Sequence, residues 1–214
     1  MIQSSGAIRR VLHALRTKGM ADVDALTQAA GLPSVQVDAV LDELGERGWV
    51  RYRDGSRAKG WMLLGEGRSE AERLAAAEIE ESGLRPMVLD LYESFKVLDP
   101  ELKTASTDFQ VKGDQTLNDH SDPDYDAGVI ARLADINRRV QPILIRLAEA
   151  FDRYSHYGPR LEHALGRVLG GDLNWFTKPS LDSYHEVWFE LHEDLLVTLG
   201  IDRATELAAD SADA

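Results

Sequence analysis

Residues 34–68, SVQVDAVLDELGERGWVRYRDGSRAKGWMLLGEGR, change their hydrophobic period once, and that change decides the fold. In the first part Val37, Val40, Leu41 and Leu44 recur at i, i+3, i+4 and i+7, which places one apolar stripe on an α-helix. Ser34 stands at the N-cap position, and Gly48 closes the far end. From Val50 the period becomes two: Val50 and Tyr52 alternate with Arg51 and Arg53, giving a strand with one apolar and one cationic face. Asp54-Gly55 supplies a turn, Ser56-Arg57-Ala58-Lys59 a basic tip, and Gly60 to Leu64 the returning strand. Another helix opens after it.

Two further helices precede this stretch. Ile8, Val11, Leu12 and Leu15 repeat the same stripe before Gly19, and Val23, Leu26 and Ala30 make a shorter one before the turn Gly31-Leu32-Pro33-Ser34. A glycine-containing turn between two short helices is the joint of a helix-turn-helix. The reading for residues 1–82 is therefore three helices plus a two-stranded β-wing, a winged helix-turn-helix, followed by a connector helix over 68–82.

On these residues the chain resembles two families of transcriptional regulators. Asp54, Arg57, Trp61, Leu63 and Glu66-Gly67-Arg68 are similar to the wing of the MarR type. The order, with the small module first and a helical domain second, is that of the PadR type. Asp54 and Arg57 stand one residue further apart than in the MarR pattern, and Leu64 replaces a capping threonine. MarR-type proteins also carry a dimerising helix ahead of the first core helix, for which this sequence has no counterpart. The resemblance implies a DNA-binding regulator acting as a homodimer on double-stranded DNA. Ser34 and Gln36, near the start of the third helix, are the expected base contacts; Arg51, Arg53, Arg57 and Lys59 in the wing, backed by Arg9, Arg10, Arg16 and Lys18, are the expected phosphate contacts. Against this, Asp38, Asp42, Glu43 and Glu46 lie on the outward face of the same helix, and carboxylates meet phosphate repulsion. The alternative is a protein-interaction module whose winged helix no longer binds DNA.

Charge is distributed unevenly. The 214 residues carry a formal net charge of -13, but residues 1–68 hold 10 Lys+Arg and 8 Asp+Glu, a net of +2, so the remainder has 14 against 29, a net of -15. No cysteine is present, which excludes disulfides, thiolate metal sites and a cysteine nucleophile. The sequence shows no apolar run long enough for a membrane span and no secretory h-region, so the expected location is the cytoplasm and no membrane partner is expected.

Gly83-Leu84-Arg85-Pro86 breaks the connector helix, and the boundary of a second domain, 86–214, is placed there. This domain reads as all helical, for dimerisation, effector sensing or both. Its expected segments are roughly 86–97, 100–110, 123–155, 159–170 and 180–199, with Pro142 kinking or dividing the third. Asp122, Asp124 and Asp126 alternate as in a calcium loop, but the glycine falls one place late and Leu133 stands where a glutamate is needed. The simpler reading is that Asp122 caps a helix starting at Pro123. Arginines at 132, 139, 146 and 153 form an exposed charged stripe. The C-terminal helix carries Leu181, Tyr184, Trp188, Leu191, Leu195 and Leu199 on one face; Trp175, Tyr184, His185, Trp188 and His192 are the expected lining of a small-molecule effector pocket. His185 and His192 lie about 10 Å apart along the axis, too far to share a metal. No metal or cofactor is expected. With no nucleophile elbow, phosphate loop or dinucleotide fingerprint, the chain does not read as an enzyme.

Overall fold

The apolar stripes become the core of a first unit, formed by Met1–Arg85 together with His192–Ala214. The computed structural model describes residues 5–56, 58–113 and 115–206. Helix α1 (Ser5–Lys18) buries Ile8, Val11, Leu12 and Leu15, α2 (Val23–Ala30) buries Leu26 and Ala30, and α3 (Ser34–Glu46) buries Val37, Val40, Leu41 and Leu44. Asp22 caps α2, its carboxylate accepting from the Ala25 N–H at 2.8 Å. At α3 the expectation of a Ser34 cap is corrected. Pro33 is the N-cap residue, held extended before the helix, so Ser34 is the first helical residue and no side chain caps it. The C-terminus closes in a Schellman arrangement, with Gly48 at φ +71°, its N–H donating to Gly45 O at 3.0 Å and the Trp49 N–H donating to Leu44 O at 2.9 Å.

The hairpin follows at once. β2 (Val50–Asp54) and β3 (Lys59–Leu63) pair antiparallel in the register Val50↔Leu63, Tyr52↔Trp61 and Asp54↔Lys59. The expected two-stranded wing proves to be a three-stranded sheet of order β1-β3-β2, because β1 (Met20–Ala21) pairs with β3. Two residues are too few to show an alternation, so the strand leaves no signal in the sequence. Gly60 makes room for it: a Cβ there would lie 2.7 Å from Ala21 O. Helix α4 (Gly65–Ser82) then starts over the base of the hairpin. The Leu64 N–H donates to Trp49 O at 2.8 Å, and at Gly67 a Cβ would stand only 2.2 Å from that same oxygen.

Among the described residues the elements of the second unit, Pro86–Leu191, are helices, with an isolated bridge between Val111 and Leu117. It contains α5 (Arg85–Gln110, from Pro86 on), α6 (Pro123–Ala150), a short 3-10 helix (Asp152–His156), α7 (Tyr157–Leu169), α8 (Asn174–Thr177) and the first half of α9 (Tyr184–Leu199). The two pieces expected at 86–97 and 100–110 are one helix, and α6 likewise runs through Pro142. An interior proline costs about 3 kcal/mol, but Leu91, Phe95, Leu98, Leu102, Ala105 and Phe109 form an unbroken buried stripe past Pro100. Burying each large apolar side chain contributes about 1.5–3 kcal/mol, so the stripe outweighs the break. Asp122 does cap α6, accepting from the Tyr125 N–H at 3.1 Å. The arginines of α6 reach across to α5: Arg132 pairs with Asp108 at 2.8 Å, and Arg139 holds both oxygens of Glu101 at 2.6 and 2.8 Å.

The last segment departs from the expected division, since residues 192–214 belong with the first unit and not with a domain spanning 86–214. The reason is polar as well as apolar. His13 Nε2 donates to Asp194 Oδ1 at 2.7 Å, Thr198 donates to the same oxygen at 3.2 Å, and Arg16 donates to Glu193 at 2.7 Å. Arg85 Nη1 also donates to Leu199 O at 3.0 Å. Burial alone would lower the Arg16 guanidinium pKa, but its hydrogen bonds to Glu193 and Glu72 outweigh this and raise it.

Two outcomes test these contacts by urea unfolding. Gly67→Ala should destabilise the protein by about 1–3 kcal/mol, because the helix must lift off Trp49 to seat one methyl group. Asp194→Ala should cost about 1–3 kcal/mol by removing the acceptor of the buried His13 ring. An unchanged midpoint in either variant would show that the interaction is dispensable.

Candidate functional site

Strand alternation sorts the hairpin into two faces. Val50, Tyr52, Trp61 and Leu63 share one face, buried at Val50 and Leu63 and exposed at Tyr52, with Tyr52 and Trp61 edge to face at a centroid distance of 5.5 Å. Arg51 and Arg53 share the other face with Gly60 and Met62. Both arginines are exposed, and neither makes an ion pair among the described residues. Lys59 is different: its ammonium lies 3.3 Å from Asp54 Oδ1 at the hairpin tip. Arg57, expected to contact phosphate, lies outside the described residues.

Of the remaining expected cations, Arg9 and Arg16 are paired with carboxylates of the first unit, Arg10 is exposed and Lys18 is half-buried. Arg9 pairs with Glu78 at 3.3 Å, Arg16 with Glu72 at 2.9 Å as well as Glu193, and Arg10 reaches Ala30 O at 3.5 Å. The sequence could not show this, because the acidic partners on α4 and α9 are distant along the chain. On α3, Ser34 is exposed and Gln36 half-buried, while Asp38, Asp42 and Glu46 are exposed further along. Glu43 pairs with Arg47, whose guanidinium lies 5.0 Å from the centre of the Trp49 ring. The outer face of the sheet is thus an exposed cationic surface of this unit, beside a helix whose later turns are acidic, and Arg10 and Arg68 are exposed as well.

The five residues expected to line one pocket are not brought together. Tyr184 and Trp188 stack at 6.2 Å within the second unit, and Trp188 stacks on Phe95 at 4.6 Å. Their polar tips are used internally: the Trp188 Nε1–H donates to Asp99 Oδ1 at 2.9 Å, and the Tyr184 hydroxyl donates to Asn137 Oδ1 at 3.3 Å. Burial pushes the Tyr184 phenol pKa up. Asp99 also pairs with Lys103 at 2.6 Å through its other oxygen. Trp175 packs elsewhere, against His163 at 5.0 Å and beneath Arg167 at 5.4 Å. His185 is half-buried beside Glu186 at 3.6 Å. His192 belongs to the first unit, where its Nε2 donates to Glu206 Oε1 at 2.8 Å. Helical spacing put these side chains near one stripe, but each found a separate partner that no local pattern announces.

Two clefts in the second unit are bordered by other residues. One of about 550 Å³ lies against Thr104, Ala131, Arg132 and Ile136, and one of about 230 Å³ against Leu144, Tyr154 and Pro159. In the polar loop before α6, His120 Nδ1 lies 3.0 Å from Asp126 Oδ2, and Asn118 Nδ2 donates to Asp126 Oδ1 at 2.8 Å, so this histidine is tied into a local network. Among the described residues no three or more His, Asp or Glu side chains are grouped to hold a metal ion, and no helix is long and apolar enough to cross a membrane. Compared with protein-family models, with characterised proteins and with solved structures, the chain matches none.

Trp188 is 3% exposed. Its replacement by alanine should therefore cost about 3–5 kcal/mol in urea unfolding. Trp188→Phe should cost clearly less, since the ring stack on Phe95 is kept and Asp99 retains Lys103. Equal losses in the two variants would mean that the indole hydrogen bond, and not the packed ring, carries the site.

Proposed function

We propose that the first unit is a winged helix-turn-helix that binds double-stranded DNA, and that the protein is a transcriptional regulator. The observation that carries this reading is the element order α1-β1-α2-α3-β2-β3 with an exposed pair of arginines on the outer face of its hairpin. A short helix followed directly by a cationic two-stranded ribbon suits a duplex: the helix presents its first turn to a groove, and the ribbon presents guanidinium groups to phosphates. Arg51 and Arg53 are the principal phosphate contacts, with Arg57 as a further one. Lys59 contributes less, because Asp54 already neutralises it. In this reading the protein acts as a homodimer on paired half-sites, with Pro86–Leu191 supplying the dimer contact and the effector response.

The acidic flank of α3 supports a second reading, in which the same unit docks a basic protein surface. The two readings separate on one measurement. Fluorescence anisotropy of a labelled mixed-sequence duplex, titrated with the full chain across a salt series, should give a log–log salt slope that falls by about two units in the Arg51→Ala/Arg53→Ala double variant, roughly 0.9 for each phosphate no longer neutralised. Binding that is absent at low salt, or unchanged in the double variant, favours the protein-docking reading.

A further inference from the structure

We propose that Val35 is a specificity-determining residue that reads the C5-methyl group of a thymine in the major groove. The inference rests on the DNA-binding reading above. Val35 is 74% exposed, whereas Val37, Val40, Leu41 and Leu44 of the same helix are buried to within 1%. It precedes Val37 by two residues, so it points about 200° away from the core stripe. A β-branched residue at an exposed helical position adds nothing to helix stability, since its side chain loses rotamer freedom there without burying surface.

The position fits base contact for two reasons. First, α3 is free of carboxylates only in its first turn: Ser34, Val35 and Gln36 come before Asp38, which lies about 4.5 Å along the axis from Val35, while Asp42, Glu43 and Glu46 lie about 10 Å or more from it. A helix that enters the groove by its first turn keeps the later carboxylates away from the phosphates. Second, the three side chains offered there are chemically complementary to one base step. Gln36 can bond adenine, Ser34 either donor or acceptor edges, and an exposed valine has one apolar feature to meet in the major groove, the thymine methyl. No other base presents one.

The test uses the full chain and a duplex selected by it from a random library about two helical turns long. Each thymine of the enriched sequence is replaced in turn by uracil, which removes only the methyl group. At one thymine per half-site this should weaken binding about three- to fivefold, the value of a single methyl group taken out of water. The same replacement should have a clearly smaller effect on Val35→Ala, whose shorter side chain covers less of the methyl group and whose exposed site leaves the fold intact, as a thermal melt will check. If every uracil duplex binds the parent protein as tightly as the thymine duplex, or if Val35→Ala remains equally sensitive to the methyl group, the assignment is overturned. If no sequence is enriched and no duplex is bound, the DNA-binding reading itself fails.

Discussion

The carbonyl oxygen of Trp49 is the point on which the first unit depends. It accepts the Leu64 N–H at 2.8 Å and lies directly beneath Gly67, so the chain leaves α3, makes the hairpin and returns to the same atom. Closure at this base sets the register that begins with Val50↔Leu63. Because side chains alternate, a slip of one residue would exchange the two faces, sending Arg51 and Arg53 toward the core and the buried Val50 into solvent. The cationic face is therefore a consequence of one backbone hydrogen bond and one missing side chain.

Charge in the first unit is arranged less by count than by pairing. Exposed ion pairs add little to stability, commonly less than about 1 kcal/mol each. They do decide which cations remain available to an outside partner. Glu72 and Glu78 on α4 and Glu193 on α9 occupy Arg9 and Arg16 of α1, and Asp54 occupies Lys59, whereas Arg51 and Arg53 on the outer sheet face make no ion pair among the described residues.

Much of the first unit was legible because its signals are local. The stripe in α3, the switch of period at Val50 and the Schellman glycine at Gly48 each lie within a few residues, where backbone geometry and side-chain period act together. What escaped was short or distant. β1 has two residues, and Ser34 lost its capping place to the proline beside it. The prolines at 100 and 142 read as breaks, yet tertiary burial along α5 and α6 overrides them. Of the candidate site, the register that exposes Arg51 and Arg53 could be read from alternation. The engagement of Arg9 and Arg16 could not, since Glu78, Glu72 and Glu193 are brought in by tertiary packing. The expected pocket failed for the same reason: Asp99, Asn137 and Glu206 claim the polar tips of Trp188, Tyr184 and His192 from elsewhere in the chain.

Helix α9 contributes Tyr184 and Trp188 to one unit and His192, Asp194 and Thr198 to the other, which makes the second unit an insertion within the first. The order of synthesis then matters. Residues 5–85 emerge from the ribosome with His13 facing no carboxylate from α9, and Asp194 becomes available only after the whole of 86–191 has followed. Closing so long a stretch costs only slowly more entropy than closing a short one, but it delays the contact. The first unit therefore begins to be made before the second and is finished after it.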